Sequence, residues 1–273
     1  MHRFFVFEPD KISKNGVKIV SDGLVHQMFN VLRFKEGEQV TILDGFGSEY
    51  LVELTLVSKK EVVGRVLERI KNDGVESTLR VVLYQSIFKN LDKFELVLQK
   101  GTEIGVSEFV PLITQRTERQ NLGKIERLNR IMQEAAEQSG RGVIPVLGGV
   151  VKFMDVLKMG SLKNGLVKSS NWSLGSELKN KSKSESAGFE LNIIADPDSK
   201  ISIKELFGPN GLDLKELEKI NIFIGPEGGF TEDEVKAAVE CGFMAVSVGK
   251  TILRSETAGI VVPALVLYSL KFL

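Results

Sequence analysis

Two glycine-bearing stretches carry most of the chemistry that can be read from this chain. In INIFIGPEGGF, Ile220 to Phe230, an apolar run enters Gly225-Pro226-Glu227-Gly228-Gly229, and helix-start signals follow at once. Glycines at a strand-to-helix turn let backbone groups approach a ligand closely, at the carboxyl edge where α/β sheets bind small molecules. The loop has no Lys, no Ser or Thr at the phosphate position, and a carboxylate in its middle, so it suits a triphosphate poorly. A neutral or cationic ligand with an adenine-like edge fits better; a plain tight turn with Glu227 in solvent is the competing reading. In VGKTILRSETAGI, Gly249 ends a strand, Ile252 and Leu253 offer an apolar wall, and Arg254, Ser255, Glu256 and Thr257 crowd the start of a final apolar helix. Ser255 or Glu256-Thr257 could simply cap that helix. Two such strand ends lying side by side in a parallel sheet could jointly enclose a small molecule. KGTEIGV (100 to 106) and EAAEQSGR (134 to 141) place polar groups at helix ends, where solvated termini are the plain alternative.

The elements that must position these residues fall into two regimes. Up to about residue 74 the pattern alternates as in short strands, with Tyr50, Val52, Leu54 and Leu56 assigned to one face and tight turns at Asp44-Gly45 and Lys59-Lys60. A small antiparallel barrel is expected, ending in the polar linker KNDGVES. From residue 75, apolar β-branched runs alternate with amphipathic helices. Phe94, Val97, Leu98, Gly101 and Ile104 form one helical stripe, and Leu128, Met132 and Ala135 another. Strands are expected at LNIIADP, INIFIG and MAVSVG, with a helix between the last two capped by Thr231 and Glu234. The second domain, 75–273, therefore reads as α/β with a mostly parallel sheet. The Lys/Ser-rich stretch at about 161–188 is expected to be a mobile insertion.

Composition narrows the classes further. The 273 residues hold 36 Lys+Arg against 36 Asp+Glu, with two His and one Cys. A disulfide within the chain and a Cys/His zinc site are both excluded, no metal is expected, and a reducing cytoplasm is the natural compartment. Zero formal charge argues against a bulk polyanion binder, although Arg116, Arg119, Arg127, Arg130 and Arg141 make the middle of the chain arginine-dense. The apolar run Ala258 to Leu270 is too short for a membrane span and contains Pro263, so it reads as a buried helix. The amino terminus lacks a signal-peptide pattern and is expected to belong to the mature protein.

Taken together, HRFFV (2 to 6), His26 through NVLR (30 to 33), KGTEIGVSEFVPL (100 to 112), Arg116, EAAEQSGRGVIP (134 to 145), GPEGGF (225 to 230) and GKTILRSETA (249 to 258) resemble the bacterial 16S ribosomal RNA uracil-N3 methyltransferases of the SPOUT superfamily. The resemblance implies a PUA-like, RNA-binding β-barrel over 1–74 and an α/β domain with a deep trefoil knot over 75–273. It further implies S-adenosylmethionine bound in the knot, a homodimer, and 16S rRNA of the small ribosomal subunit as partner. By similarity the cofactor contacts are Ile194, Ala195 and Asp196; Gly225, Pro226, Glu227, Gly228 and Gly229; and Val248, Gly249, Ile252, Leu253, Arg254, Glu256 and Thr257. The insertion is longer than the family usually carries, and Asn129 stands where an aromatic is common.

Methylating uracil at N3 requires an aligned methyl donor, removal of the imide proton and an accessible base edge. Glu103, Glu137 and Glu256 are candidate proton acceptors, and Arg116 or Arg254 could stabilise the uracil anion. Arg3, Arg33, Lys89 and Lys93 are candidate phosphate contacts. Methylation of another RNA atom, such as a ribose 2′-oxygen, and a non-catalytic role in RNA binding or ribosome assembly are the alternatives.

Overall fold

The computed structural model describes residues 1–71, 79–163, 189–208, 211–212 and 217–270. Most of the expected insertion at 161–188, and most of the KNDGVES linker, lie outside the described residues. Among the described residues no helix is long and apolar enough to cross a membrane.

The chain forms two units. Met1–Glu76 is joined by Gln133–Ile144 in the first, and Ser77–Met132 with Pro145–Leu273 makes the second. In the first unit, strands β1 (Arg3–Phe5), β2 (Lys11–Ile12) and β3 (Gly16–Ile19) precede helix α1 (Asp22–His26), which runs into a π-helical turn, Gln27–Val31. Strands β4 (Gln39–Leu43), β5 (Ser48–Val57) and β6 (Val62–Lys71) complete a six-stranded sheet of order β1-β4-β5-β6-β3-β2. The pairs are antiparallel except β1 with β4, which is parallel and departs from the all-antiparallel expectation. Phe4, Val17, Ile19, Met28, Val40, Ile42, Val52 and Leu54 fill its core.

Leu56 does not share the face of Val52 and Leu54. The β5–β6 register shifts between Leu54 and Leu56, so the alternation inverts: Leu56 is exposed, and Val57 packs against the core instead.

The second unit contains β7 (Arg80–Ser86), α2 (Leu91–Ile104), β8 (Glu108–Ile113), α3 (Ile125–Ser139), β9 (Val146–Leu147), β10 (Val151–Lys152), α4 (Phe153–Lys163), β11 (Phe189–Ala195), α5 (Ile203–Leu206), β12 (Leu217–Ile224), α6 (Glu232–Glu240), β13 (Met244–Val246) and α7 (Ser255–Ser269). The carboxyl end of α3 belongs to the first unit. The sheet runs β10-β8-β7-β12-β11-β13, with β9 beside β8, and every pair is parallel. Its strands therefore all end at one edge. Strand order reverses between β7 and β12, the place where open α/β sheets leave a crevice for ligands. Thr231 and Glu234 form the expected capping box on α6. Helix α7 continues through Pro263, which is buried inside it and does not end it.

In the first unit, the Glu137 carboxylate accepts the Phe5 backbone N–H (3.1 Å) and the Gln133 side-chain amide (3.2 Å). Ala136 and Ile144 pack there with Phe5 and Leu43. Burial pushes the Glu137 carboxyl above its ordinary value of 4.5, and the two hydrogen bonds oppose that shift without cancelling it. A carboxyl raised in the folded state gives stability that is complete below its unfolded pKa and is lost as pH rises through the folded one. Glu137→Gln keeps an acceptor for Phe5 and removes the charge. The variant is expected to melt above the parent at pH 8, with the difference shrinking as pH falls toward 4; a gap that widens on acidification would contradict this.

Candidate functional site

The crevice is built from strand ends. The loop after β11 is zipped to the end of β13: Asp196 donates its N–H to the Val246 carbonyl (2.9 Å), Ser199 donates its hydroxyl to the Ala245 carbonyl (2.7 Å), and Ile203 donates its N–H to the Ser247 carbonyl (2.9 Å). The loop after β12 is a tight turn in which Gly229 donates to the Pro226 carbonyl (2.9 Å) with φ at +69°. A Cβ on Gly225 would come within 2.9 Å of the Phe230 backbone nitrogen, so the turn closes only with glycine there.

One buried hydrogen-bond chain joins these loops to the last helix. Ser255, the first residue of α7, donates its hydroxyl to the Gly225 carbonyl and accepts the Gln85 side-chain amide at 3.1 Å. Gln85 is the penultimate residue of β7, has no solvent exposure, and also donates to the Ser86 carbonyl (3.2 Å). Because the single Ser255 proton goes to Gly225, Gln85 must present its NH2, which fixes the amide orientation. Gly259, one turn along α7, leaves room for Gln85: a Cβ there would lie 2.3 Å from the amide oxygen. The cap of α7 is Arg254, with no side-chain hydrogen bond, so Ser255 does not have the capping role open to it from sequence.

Around this chain stand the residues proposed for the cofactor. Ile194 is wholly buried in the core with Phe223 and Phe243, leaving only its backbone for a ligand, while Ala195 and Asp196 are half-buried at the strand end. Pro226 is buried; Glu227 and Gly228 are exposed. Glu227 accepts the Lys89 backbone N–H at 3.3 Å, bridging the ends of β12 and β7. Val248, Leu253 and Thr257 are half-buried, and Arg254 is exposed. Space around Gly249 and Gly229 is open to 4 Å, and Ile252 is 82% exposed, an apolar side chain left without cover. Glu256 pairs with Lys93 at 3.1 Å. Burial alone would raise the Glu256 carboxyl, but its own backbone N–H at the helix start, Lys93 and Arg254 together hold it below the usual range. It is thus a fixed anion, suited to a cation and poorly suited to collecting a proton.

Arg116, in the segment after β8, reaches the glycine loop. Its Nη1 donates to the Gly228 carbonyl at 2.6 Å and toward the Phe230 carbonyl at 3.4 Å, and the side chain is otherwise exposed. The neighbouring N–H of Gln115 is held by Glu234 at 2.8 Å, the same carboxylate that accepts the Thr231 N–H and hydroxyl. A cleft of about 400 Å³ opens there between Thr114, Phe153 and Asp233, but its buried carboxylate is committed to these donors.

Among the remaining candidates one lies well down a helix and most are already partnered. Glu103 lies near the carboxyl end of α2, which runs back from the ligand edge, so about 18 Å of helix separates it from Leu91. It is paired with Lys100 at 2.8 Å. Glu137 serves the Phe5 backbone in the first unit. Arg3 pairs with Glu49 and donates to the Gly140 carbonyl (3.2 Å), a structural bracket. Arg33 is exposed, with φ at +56° just beyond the π-helical turn. Lys89 pairs with Glu118 at 2.9 Å, so neither it nor Lys93 is an unpaired cation. Sequence reading passed over Gln85 entirely; its signal was a long polar amide near the end of an apolar central strand. Ser255→Ala removes the donor to a buried carbonyl and is expected to lower stability by about 1–3 kcal/mol, while Ser255→Thr, keeping the hydroxyl, recovers most of it. Equal denaturant midpoints for parent and Ser255→Ala would refute the role given to this hydroxyl.

Comparison with known proteins bears on what this edge does. Residues 75–267 match the RNA methyltransferase domain family, and residues 21–67 match the RNA methyltransferase PUA domain. A Bacillus subtilis protein named ribosomal RNA small subunit methyltransferase E is 28% identical over 100% of this chain and 98% of its own. A Mesomycoplasma hyopneumoniae protein of the same name is 30% identical over 95% and 96%. The Neisseria gonorrhoeae ribosomal RNA small subunit methyltransferase E, solved bound to S-adenosyl methionine, superposes with a TM-score of 0.76 at 29% identity, covering 98% of this chain and 97% of that one. The fold class is accordingly a PUA-like β-barrel followed by a SPOUT α/β-knot domain. With its all-parallel sheet, its glycine loop at the strand-order reversal and a match spanning most of its length, the chain belongs to the RNA methyltransferase domain family.

Proposed function

We propose that this chain transfers the methyl group of S-adenosylmethionine to N3 of a specific uridine in 16S rRNA of the small ribosomal subunit. The observation that carries the reading is the convergence of the ends of β11, β12 and β13 on one crevice, with Arg116 donating to the glycine loop that walls it. Those residues fit the cofactor. Uncovered Ile252 and the open backbone at Gly229 and Gly249 suit an adenine and its ribose, and Asp196, Glu227 and Glu256 suit a positively charged ligand. When bound, the cofactor supplies a methyl group on a cationic sulfur and needs no metal to activate it.

The chain's own residues then have separable tasks. Gln85 and Ser255 hold the glycine loop against α7, so the cradle is fixed before the ligand arrives. Arg116 spends Nη1 on the Gly228 carbonyl and keeps further N–H donors for the uracil oxygens, where negative charge gathers as the imide proton leaves. Residues 1–74 are read as the RNA-binding domain and 75–273 as the transferase. Homodimerisation is supported by α7, whose partly open positions Ile260, Val261, Ala264 and Leu265 are all apolar. The cytoplasm, where small subunits are assembled, is the proposed compartment.

Arg116→Ala is expected to leave S-adenosylmethionine affinity within about three-fold while lowering the rate of transfer to small subunits roughly a hundred-fold. Calorimetry and transfer of labelled methyl measure the two effects. Unchanged transfer would remove Arg116 from the reaction. Label recovered in alkali-resistant dinucleotides, and not in the base, would contradict the N3 assignment.

A further inference from the structure

Phe46, at the tip of the turn between β4 and β5, is 88% exposed, the most open of the large apolar side chains among the described residues. The turn that presents it is preorganised. Asp44 accepts the backbone N–H of Phe46 (2.8 Å) and of Ser48 (3.0 Å), and Gly45 and Gly47 hold φ of +78° and +89°. Beneath it the Phe7 ring lies so close to Gly45 that a Cβ there would be 2.8 Å away, and Phe7 stacks on Phe5 with centroids 6.0 Å apart. The two carboxylates around the turn are both engaged. Asp44 Oδ1 takes the two backbone donors, its Oδ2 accepts from the Tyr50 hydroxyl at 3.5 Å, and Glu49 is taken by Arg3. Arg69 is anchored by its Nη2 to the Ser48 hydroxyl (3.0 Å) and lies over the Tyr50 ring (5.6 Å); it makes no ion pair among the described residues.

A rigid, projecting aromatic, with a guanidinium that has no carboxylate partner held two residues along the same turn, matches the chemistry of an unpaired nucleotide: a π face for the base and a cation for its phosphate. We propose that Phe46 stacks on an unpaired base of the RNA substrate while Arg69 meets the adjoining phosphate. The inference rests on the RNA-methylating function proposed above and adds a contact within the first unit. Stacking of this kind is lost with the π face even when apolar bulk is kept, so Phe46→Leu is expected to raise the apparent KM for small-subunit RNA about ten-fold, whereas Phe46→Tyr stays near the parent value. All three proteins should bind S-adenosylmethionine alike. Trp172 is the one native tryptophan, so Phe46→Trp in a Trp172→Phe background supplies a direct probe. Its emission should be quenched on saturation with purified 16S rRNA, and further Arg69→Ala substitution should weaken that titration. Phe46→Leu behaving as the parent, or unquenched emission at RNA saturation, overturns the proposal. A parent protein that binds the RNA without methylating it counts against the enzymatic reading alone, and the quenching still decides whether the ring stacks.

Discussion

A single buried hydroxyl ties the site together. Ser255 receives a hydrogen bond from Gln85, 170 residues earlier, and passes one to the Gly225 carbonyl, 30 residues earlier. Burial makes this pairing consequential: an unpartnered carbonyl or amide in the interior loses its water without replacement, so the three groups stabilise one another only in this arrangement. The direction of the chain is fixed by proton count. Its geometry is fixed by Gly259, whose missing side chain lets β7 and α7 approach. Two loops that no local interaction would hold in register are thereby set at one spacing.

How much of this was legible in the sequence differs from element to element. The apolar runs at LNIIADP and INIFIG and the Thr231–Glu234 box are local signals, and they became β11, β12 and a capped α6. The β-bulge that turns Leu56 outward is not local, because one extra residue in β5 has meaning only against β6. The same holds for Gln133–Ile144. Its stripe announces a helix, but that Ala136 packs with Phe5 and Leu43 depends on which surface was free to receive it. The π-helical turn at Gln27–Val31 continues α1 with no residue type that marks it. At the candidate site the glycine loops were legible because glycine is demanded by the backbone itself. Gln85 was not, since a lone amide in an apolar run has no meaning until Ser255 stands opposite it.

The balance of charge also takes a local form. Around the crevice two lysines are already spent, Lys93 on Glu256 and Lys89 on Glu118. Arg116 gives one nitrogen to a backbone carbonyl and remains exposed. An edge of this kind attracts nucleic acid weakly through bulk field and depends on shape and on a few directed donors. Zero net charge across 273 residues is therefore compatible with an RNA-modifying enzyme that recognises one place on a folded particle.

The central claim, methylation of a uracil nitrogen in small-subunit RNA, is tested most directly in cells. Nucleosides from 16S rRNA of a strain lacking this protein, compared by mass spectrometry with those of its parent, should have lost 3-methyluridine, and expression of the protein should restore it. Identical 3-methyluridine content in the two strains, or loss of a ribose-methylated nucleotide in its place, would contradict the account.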